Sequence, residues 1–182
     1  MNTGVVSARY AKALLEYATE QGCENAIYEN MLQLVATLQA VKEFTVMLRD
    51  PMLSREERVR LICKAVEPSP EFVRFARLVV KEEREDILLF IAHCYVSLYR
   101  KAKNIIAVKI ITAVPLDENF NERIKEIIAA QSGAEVIIEN VIDDTIIGGF
   151  VLEADSRRFD SSIMSRLEQI KKQLVKQYRK LV

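Results

Sequence analysis

The sequence predicts a mainly α protein in two parts, a six-helix bundle over residues 1–104 and a small α+β domain of βαβββα order over residues 105–182. Three observations carry that prediction. Apolar residues recur at helical spacing through the first hundred residues. Gly and Pro together number only nine of 182, too few for an all-β fold built on tight turns. Near Asn104 the period changes and β-branched runs begin.

In the first helix, from Val5 to Glu20, Tyr10, Leu14 and Tyr17 recur at i, i+4, i+7, with Ala11, Leu15 and Ala18 on the adjoining stripe; Gly22 supplies the cap. A second helix, about Glu24 to Val41, carries Ile27, Met31, Leu34, Val35 and Leu38 at helical spacing. A short third, Lys42 to Arg49, ends at Asp50-Pro51 because Pro cannot continue it. Ser54-Arg55-Glu56-Glu57 is a capping box that opens a fourth helix to about Val66. Ser69-Pro70 repeats the start signal, N-cap and then Pro, for a fifth with Phe72, Phe75, Ala76 and Val79. The sixth runs from Asp86 to Lys103 with Leu88, Ile91, Tyr95 and Leu98 on one face. Ile105 to Val114 then reads as a strand, and Asp117 as the N-cap of a helix ending at Gln131 before Gly133. Glu135–Glu139 and Ile146–Glu153 are further strands separated by the turn Asp143-Asp144-Thr145. A tight turn at Asp155-Ser156 leads to a short return strand at Phe159, and a last helix runs from about Asp160 almost to the end.

Half the residues are hydrophobic, which suits a packed core and argues against disorder. The 26 basic and 26 acidic side chains cancel, so the chain lacks the basic excess of a nucleic-acid binder. Locally they do not cancel: the net charge is +1 over residues 1–103, −6 over 104–162 and +5 over 163–182. Cys23, Cys63 and Cys94 are odd in number and far apart, reading as small buried hydrophobes in a reducing compartment rather than a disulfide framework. No signal-peptide h-region opens the chain. The longest uncharged run, the thirteen residues Ile87–Tyr99, is shorter than a bilayer span. These features predict a soluble, cytoplasmic protein.

Little in the sequence points to catalysis. His93, the one histidine, lies in the apolar sixth helix and reads as a core or boundary residue, about 100° around the helix from Cys94. Neither a metal-ligand cluster nor a cofactor motif is present, and the acidic pairs Asp143-Asp144 and Glu82-Glu83 read as solvated. Ile147-Gly148-Gly149-Phe150 lies in an apolar strand pattern with no following Lys, so its glycines mark a close backbone approach, with the terminal helix as candidate neighbour, rather than a phosphate loop. In the terminal helix Ile163, Leu167, Ile170, Leu174, Tyr178 and Leu181 form a continuous apolar stripe flanked by Arg166, Lys171, Lys172, Lys176, Arg179 and Lys180. Packing on its own sheet accounts for Ile163 to Ile170, and the distal part is open to a partner helix. A nucleic-acid-binding accessory protein using this basic helix is the alternative reading, with Tyr178 the single aromatic available for stacking.

Several strings, taken together, carry a resemblance. They are Ser7-Ala8-Arg9-Tyr10-Ala11-Lys12-Ala13-Leu14, Thr112-Ala113-Val114-Pro115-Leu116, Ile146-Ile147-Gly148-Gly149-Phe150-Val151-Leu152, Phe159-Asp160-Ser161-Ser162-Ile163 with Arg166-Leu167, and Lys171-Lys172-Gln173-Leu174. In order and over the whole length, the chain resembles the delta subunits of bacterial F-type ATP synthases, the family of the mitochondrial oligomycin-sensitivity-conferring protein. Glu153-Ala154-Asp155-Ser156 departs from the glycine that relatives often have in the hairpin turn. The resemblance implies a non-catalytic stator subunit without cofactor, one copy per hetero-oligomeric complex, lying at the cytoplasmic face of the bacterial inner membrane without inserting into it. It implies that the helical domain binds N-terminal segments of the alpha subunits, in a groove drawing on Tyr10, Ala13, Leu14 and Tyr17 with Phe75, Leu78 and Val79. The C-terminal domain, with Gly148, Gly149, Phe150, Asp160, Ile163, Arg166, Leu167, Leu174 and Tyr178, is expected to receive the C-terminal ends of the b subunits. It is also expected to be partly disordered when alone.

Overall fold

The computed structural model describes residues 3–154, 157–168 and 170–171. The chain divides into two compact units, Met1–Ala102 and Lys103–Val182.

The first unit is a bundle of α1 (Thr3–Gln21), α2 (Glu24–Ala40), α3 (Lys42–Leu48), α4 (Arg55–Lys64), α5 (Pro70–Lys81) and α6 (Leu88–Ala102). The apolar α6 packs against both α1 and α2, while α4 lies against α5. α1 buries Ser7, Ala11, Leu14 and Ala18, a stripe small enough for a neighbouring helix to approach closely. Ile27, Met31, Leu34, Ile62, Phe72, Ile91 and Tyr95 complete an interior without solvent access. The predicted start signals operate as written. Ser54 Oγ accepts from the Glu57 N–H at 3.3 Å, and the Glu57 carboxylate accepts from the Ser54 N–H at 2.8 Å. The Ser54 hydroxyl, donating to the same carboxylate at 2.6 Å, and then the Ser54 N–H hold the Glu57 carboxyl below its ordinary range. Ser69 Oγ accepts from the Phe72 N–H, with Pro70 in the first turn.

A polar stripe on α2 pins the loop between α4 and α5. Buried Asn30 donates to the Glu67 carbonyl at 2.6 Å and accepts from the Ser69 N–H at 3.1 Å. One turn on, Gln33 Oε1 accepts from the Glu67 N–H at 2.9 Å, and Thr37 Oγ donates to the Ala65 carbonyl at 3.0 Å. Arg58 ties α4 to the loop before it and to the turn that opens onto α6, bonding the Asp50 carbonyl at 3.2 Å and the buried Glu85 at 3.2 Å. Near the end of α6, the Tyr28 and Tyr99 rings stack at 4.2 Å, and the Tyr95 hydroxyl donates to the Glu24 carbonyl at 3.3 Å. Burial pushes the Tyr95 phenol well above its usual pKa.

Three expectations for this unit change. The sixth helix opens with a 3-10 turn, Glu85–Ile87, because the chain must first leave α5 through a left-handed Glu83 (φ 55°). His93 is exposed on the solvent face of α6, 3.3 Å from the Gln39 amide nitrogen, instead of facing the core: Ile91, Ala92, Tyr95 and Val96 take the buried stripe. The free thiols of Cys23, Cys63 and Cys94 are half-buried rather than fully enclosed.

The second unit comprises β1 (Ile105–Thr112), α7 (Glu118–Ser132), β2 (Glu135–Ile142), β3 (Phe150–Ala154) and β4 (Arg157–Asp160), with residues 163–168 and 170–171 helical. The sheet order is β2-β1-β3-β4; β1 and β2 are parallel across the α7 crossover, and the other pairs are antiparallel. Val108, Ile110 and Val136 form a core sealed by Ile124, Ile128 and Ala129 of α7 and by Ile106, Ile138, Phe150 and Leu152 of the sheet. β2 extends past Glu139 to Ile142 because it pairs with β1 along its whole length, from Ile105↔Glu135 to Thr112↔Ile142. β3 begins at Phe150 rather than Ile146. The residues before it turn around Asp143, whose carboxylate accepts from the Thr145 N–H at 3.0 Å, and then pass through Gly148 and Gly149 at φ +147° and +82°. Asp117 has the extended conformation of an N-cap, but its carboxylate accepts from the Asn119 amide instead of capping α7. The turn residues Asp155 and Ser156 lie outside the described residues.

Replacing Asn30 with Ala leaves the Glu67 carbonyl and the Ser69 N–H without their partner. A loss of about 2–3 kcal/mol in urea unfolding is expected.

Candidate partner-binding sites

In the bundle, α1 and α5 border an open groove of about 740 Å³. Its lining includes Tyr10, Ala13, Leu14, Tyr17, Phe75 and Leu78, six of the seven residues expected there. Two of them, Leu14 and Phe75, are buried and form the floor. Tyr10, Ala13, Tyr17 and Leu78 keep surface open to solvent, Leu78 at 48%. Val79 does not belong to this set. It is 0% exposed, on the core face of α5 beside Phe72, Phe75 and Ala76, and a side chain without free surface cannot touch a partner.

Sequence reading missed a charged rim. Arg9, Glu71, Arg74 and Glu82 border the apolar strip. Glu71, Phe75, Leu78 and Glu82 follow one another at spacings of four, three and four, a helical face that was readable as a polar frame around an apolar centre. Arg74 donates to the Tyr17 hydroxyl at 2.9 Å, fixing that ring at the rim. The hydrogen bond also raises the pKa of Arg74, which stays charged regardless.

In the second unit, the Gly148-Gly149 segment passes directly against the start of the terminal helix. A Cβ on Gly148 would stand 2.8 Å from Ile163 Cδ1, and one on Gly149 would collide with the Ser161 carbonyl oxygen. The close approach is sealed by backbone bonds, Ser161 N–H to the Phe150 carbonyl at 2.9 Å and Ile163 N–H to the Gly148 carbonyl at 3.0 Å. Asp160 accepts from the Ser162 N–H and from Ser165 Oγ, each at 2.9 Å, and Arg166 donates to Ser161 Oγ at 3.0 Å. The Phe150 ring lies between Phe120 and Phe159, at 5.9 and 6.4 Å. The helix is therefore attached through its cap. Its stripe stays open: Ile163, Leu167 and Ile170 are 47, 57 and 52% exposed, so packing on the sheet does not account for them as expected. Leu174 and Tyr178 lie outside the described residues, as do Lys172, Lys176, Arg179 and Lys180.

Among the described residues, no three or more of His, Cys, Asp and Glu are grouped to hold a metal ion, and no helix is long and apolar enough to cross a membrane. Each of the two units exposes apolar surface that another molecule could cover.

These features define a two-unit chain, a grooved helical bundle followed by a mixed α+β unit in which Ile163, Leu167 and Ile170 are exposed among the described residues. The chain belongs to the ATP synthase delta (OSCP) subunit family, whose model matches residues 6–174. It is similar to the ATP synthase subunit delta of Bacteroides fragilis, at 42% identity over all of both chains, and to that of Bacteroides thetaiotaomicron, at 39% over all of both. In fold it is similar to a chain of the Toxoplasma gondii mitochondrial ATP synthase hexamer, with a TM-score of 0.70, 19% identity, and coverage of 93% and 97% of the two chains. It is thus a stator, or peripheral-stalk, component of ATP synthase. The comparisons give the nucleic-acid reading no support.

Two predictions follow from the packing of the second unit. Gly149→Ala places a Cβ against backbone at a positive φ, and should destabilise that unit by more than about 2 kcal/mol in denaturant unfolding. The Asp160 carboxyl is held below its ordinary range, first by the Ser162 N–H. Its contribution is therefore complete above the unfolded carboxylate value, about pH 4, and is lost as pH falls from there through the lower folded value. NMR of the Ser162 and Ser165 amides should show that loosening, and Asp160→Asn should remove its pH dependence.

Proposed function

We propose that the chain connects, without catalysis of its own, the catalytic head of ATP synthase to the peripheral stalk, so that the head does not turn with the rotor. The bundle takes an N-terminal segment of an alpha subunit in the α1–α5 groove. The second unit takes the C-terminal ends of the b subunits, with the stripe Ile163, Leu167 and Ile170 as its docking surface. One copy serves each complex, at the cytoplasmic face of the inner membrane.

The observation that supports this reading best is the groove, an apolar strip held open to water between two helices. Exposed Leu78 and half-exposed Tyr10 and Tyr17 gain by being covered, and Ala13 leaves room for a helix to come near. The charged rim keeps such a groove soluble when empty and limits which helix faces fit. A link under torque needs slow dissociation, and nanomolar binding corresponds to about 12 kcal/mol, most of it supplied by a few buried anchors. The exposed stripe of the terminal helix supports the second docking surface on the same grounds, being an amphipathic face without a cover among the described residues.

The two surfaces should separate in one experiment. Leu78→Asp should weaken binding of an alpha N-terminal peptide by about 2 kcal/mol or more while leaving stalk binding intact, and Leu167→Asp should do the reverse. Calorimetry with each partner reads the affinities, and unchanged circular dichroism verifies the fold. Equal affinities for parent and variants would reject the assignment.

A further inference from the structure

α5 also borders a second groove. On a different face from Phe75 and Leu78, it meets α4 along a cleft of about 560 Å³. Arg55, Arg60, Arg77 and Lys81 line it, with Glu56 the one carboxylate and Val59 and Val80 the apolar floor. Each helix contributes the same arrangement, a valine flanked by cations. Two of the four cations are partly answered: Arg55 reaches Glu83 at 3.3 Å and Arg60 reaches Glu56 at 3.7 Å, both between exposed side chains, where such pairs contribute little. Arg77 and Lys81 are exposed and make no ion pair among the described residues.

We infer that this cleft is a docking site for a carboxylate-rich segment of a neighbouring subunit, separate from the apolar groove. Concentrated positive charge beside a low-dielectric apolar floor attracts an anionic partner and orients it. The cations extend along both helices. Arg55 and Arg60 stand five positions apart, about 7 Å of helix rise, and Arg77 and Lys81 line the facing helix, so the charge is spread along the cleft instead of gathered at one point. Among the described residues no aromatic side chain lines the cleft, so these supply no stacking platform for nucleotide bases. Its apolar residues form the half-buried and buried floor and do not project, which does not suit insertion into a lipid surface. A peptide alternating acidic and small apolar side chains matches both cations and floor.

The test uses the assembled ATP synthase. With a photoreactive amino acid in place of Lys81, the cross-linked segment should belong to another subunit and contain more Asp and Glu than Lys and Arg. The double variant Arg77→Glu/Lys81→Glu should dissociate about tenfold faster than the parent at low salt, with the difference shrinking as added salt screens the charges, while Arg77→Lys/Lys81→Arg should behave like the parent. Both positions are exposed, so folding is preserved. The inference is overturned by an adduct to lipid, to nucleic acid, to a second copy or to this chain's own acidic residues 104–162. Absence of any adduct overturns it, as does a parental dissociation rate at low salt in the charge-reversed complex. Because Leu78 is untouched, alpha-peptide binding stays as a separate readout of the first groove.

Discussion

A helix can bury only one stripe of its surface, and much of the bundle's surface chemistry depends on which stripe α1 buries. The helix carries two adjacent apolar stripes. Ser7, Ala11, Leu14 and Ala18 go inward, and their small side chains allow close packing with a neighbouring helix. Tyr10, Ala13 and Tyr17, displaced by about 100° or less, are left at the edge beside α5. The groove is a consequence of that choice. α5 makes the complementary one: Val79 and Phe72 fill the interior, Leu78 faces one groove, and Arg77 faces the other.

The rigidity of these surfaces comes from polar bonds placed where the chain lacks regular structure. Asn30, Gln33 and Thr37 use side chains on a regular helix to satisfy backbone groups of the loop that leads into α5. Arg58 does the same on the other side of α4. A groove wall held in this way does not have to be ordered by its partner, so less of the binding free energy is lost to conformational entropy.

The second unit meets a different constraint. Four strands and one covering helix bury a small core, and the terminal helix is joined to them by backbone contact at Gly148 and Gly149. No other residue type fits that approach, because Gly149 combines a positive φ with a neighbour inside contact distance. Past Ile163, whose side chain lies over Gly148, the stripe residues Leu167 and Ile170 are exposed among the described residues.

Much of this was readable in the sequence, for local reasons. The capping box at Ser54, the Ser69-Pro70 start, and the switch from helical to β-branched periods near Asn104 are written in neighbouring residues, and they fixed element type and order. So was the meaning of the paired glycines, whereas the groove residues on α1 and α5 were implied by the family resemblance and not by any local signal. What sequence could not separate was core from interface, since Val79 and Leu78 are adjacent apolar residues and only the packing of α5 decides which is covered. For the same reason periodicity alone places His93 at the core and packs the Ile163–Ile170 stripe on the sheet, whereas both are exposed. Periodicity, propensity and caps act over a few residues and are determined by sequence alone. Exposure depends on what a distant segment covers, and that was decided only when the tertiary structure formed.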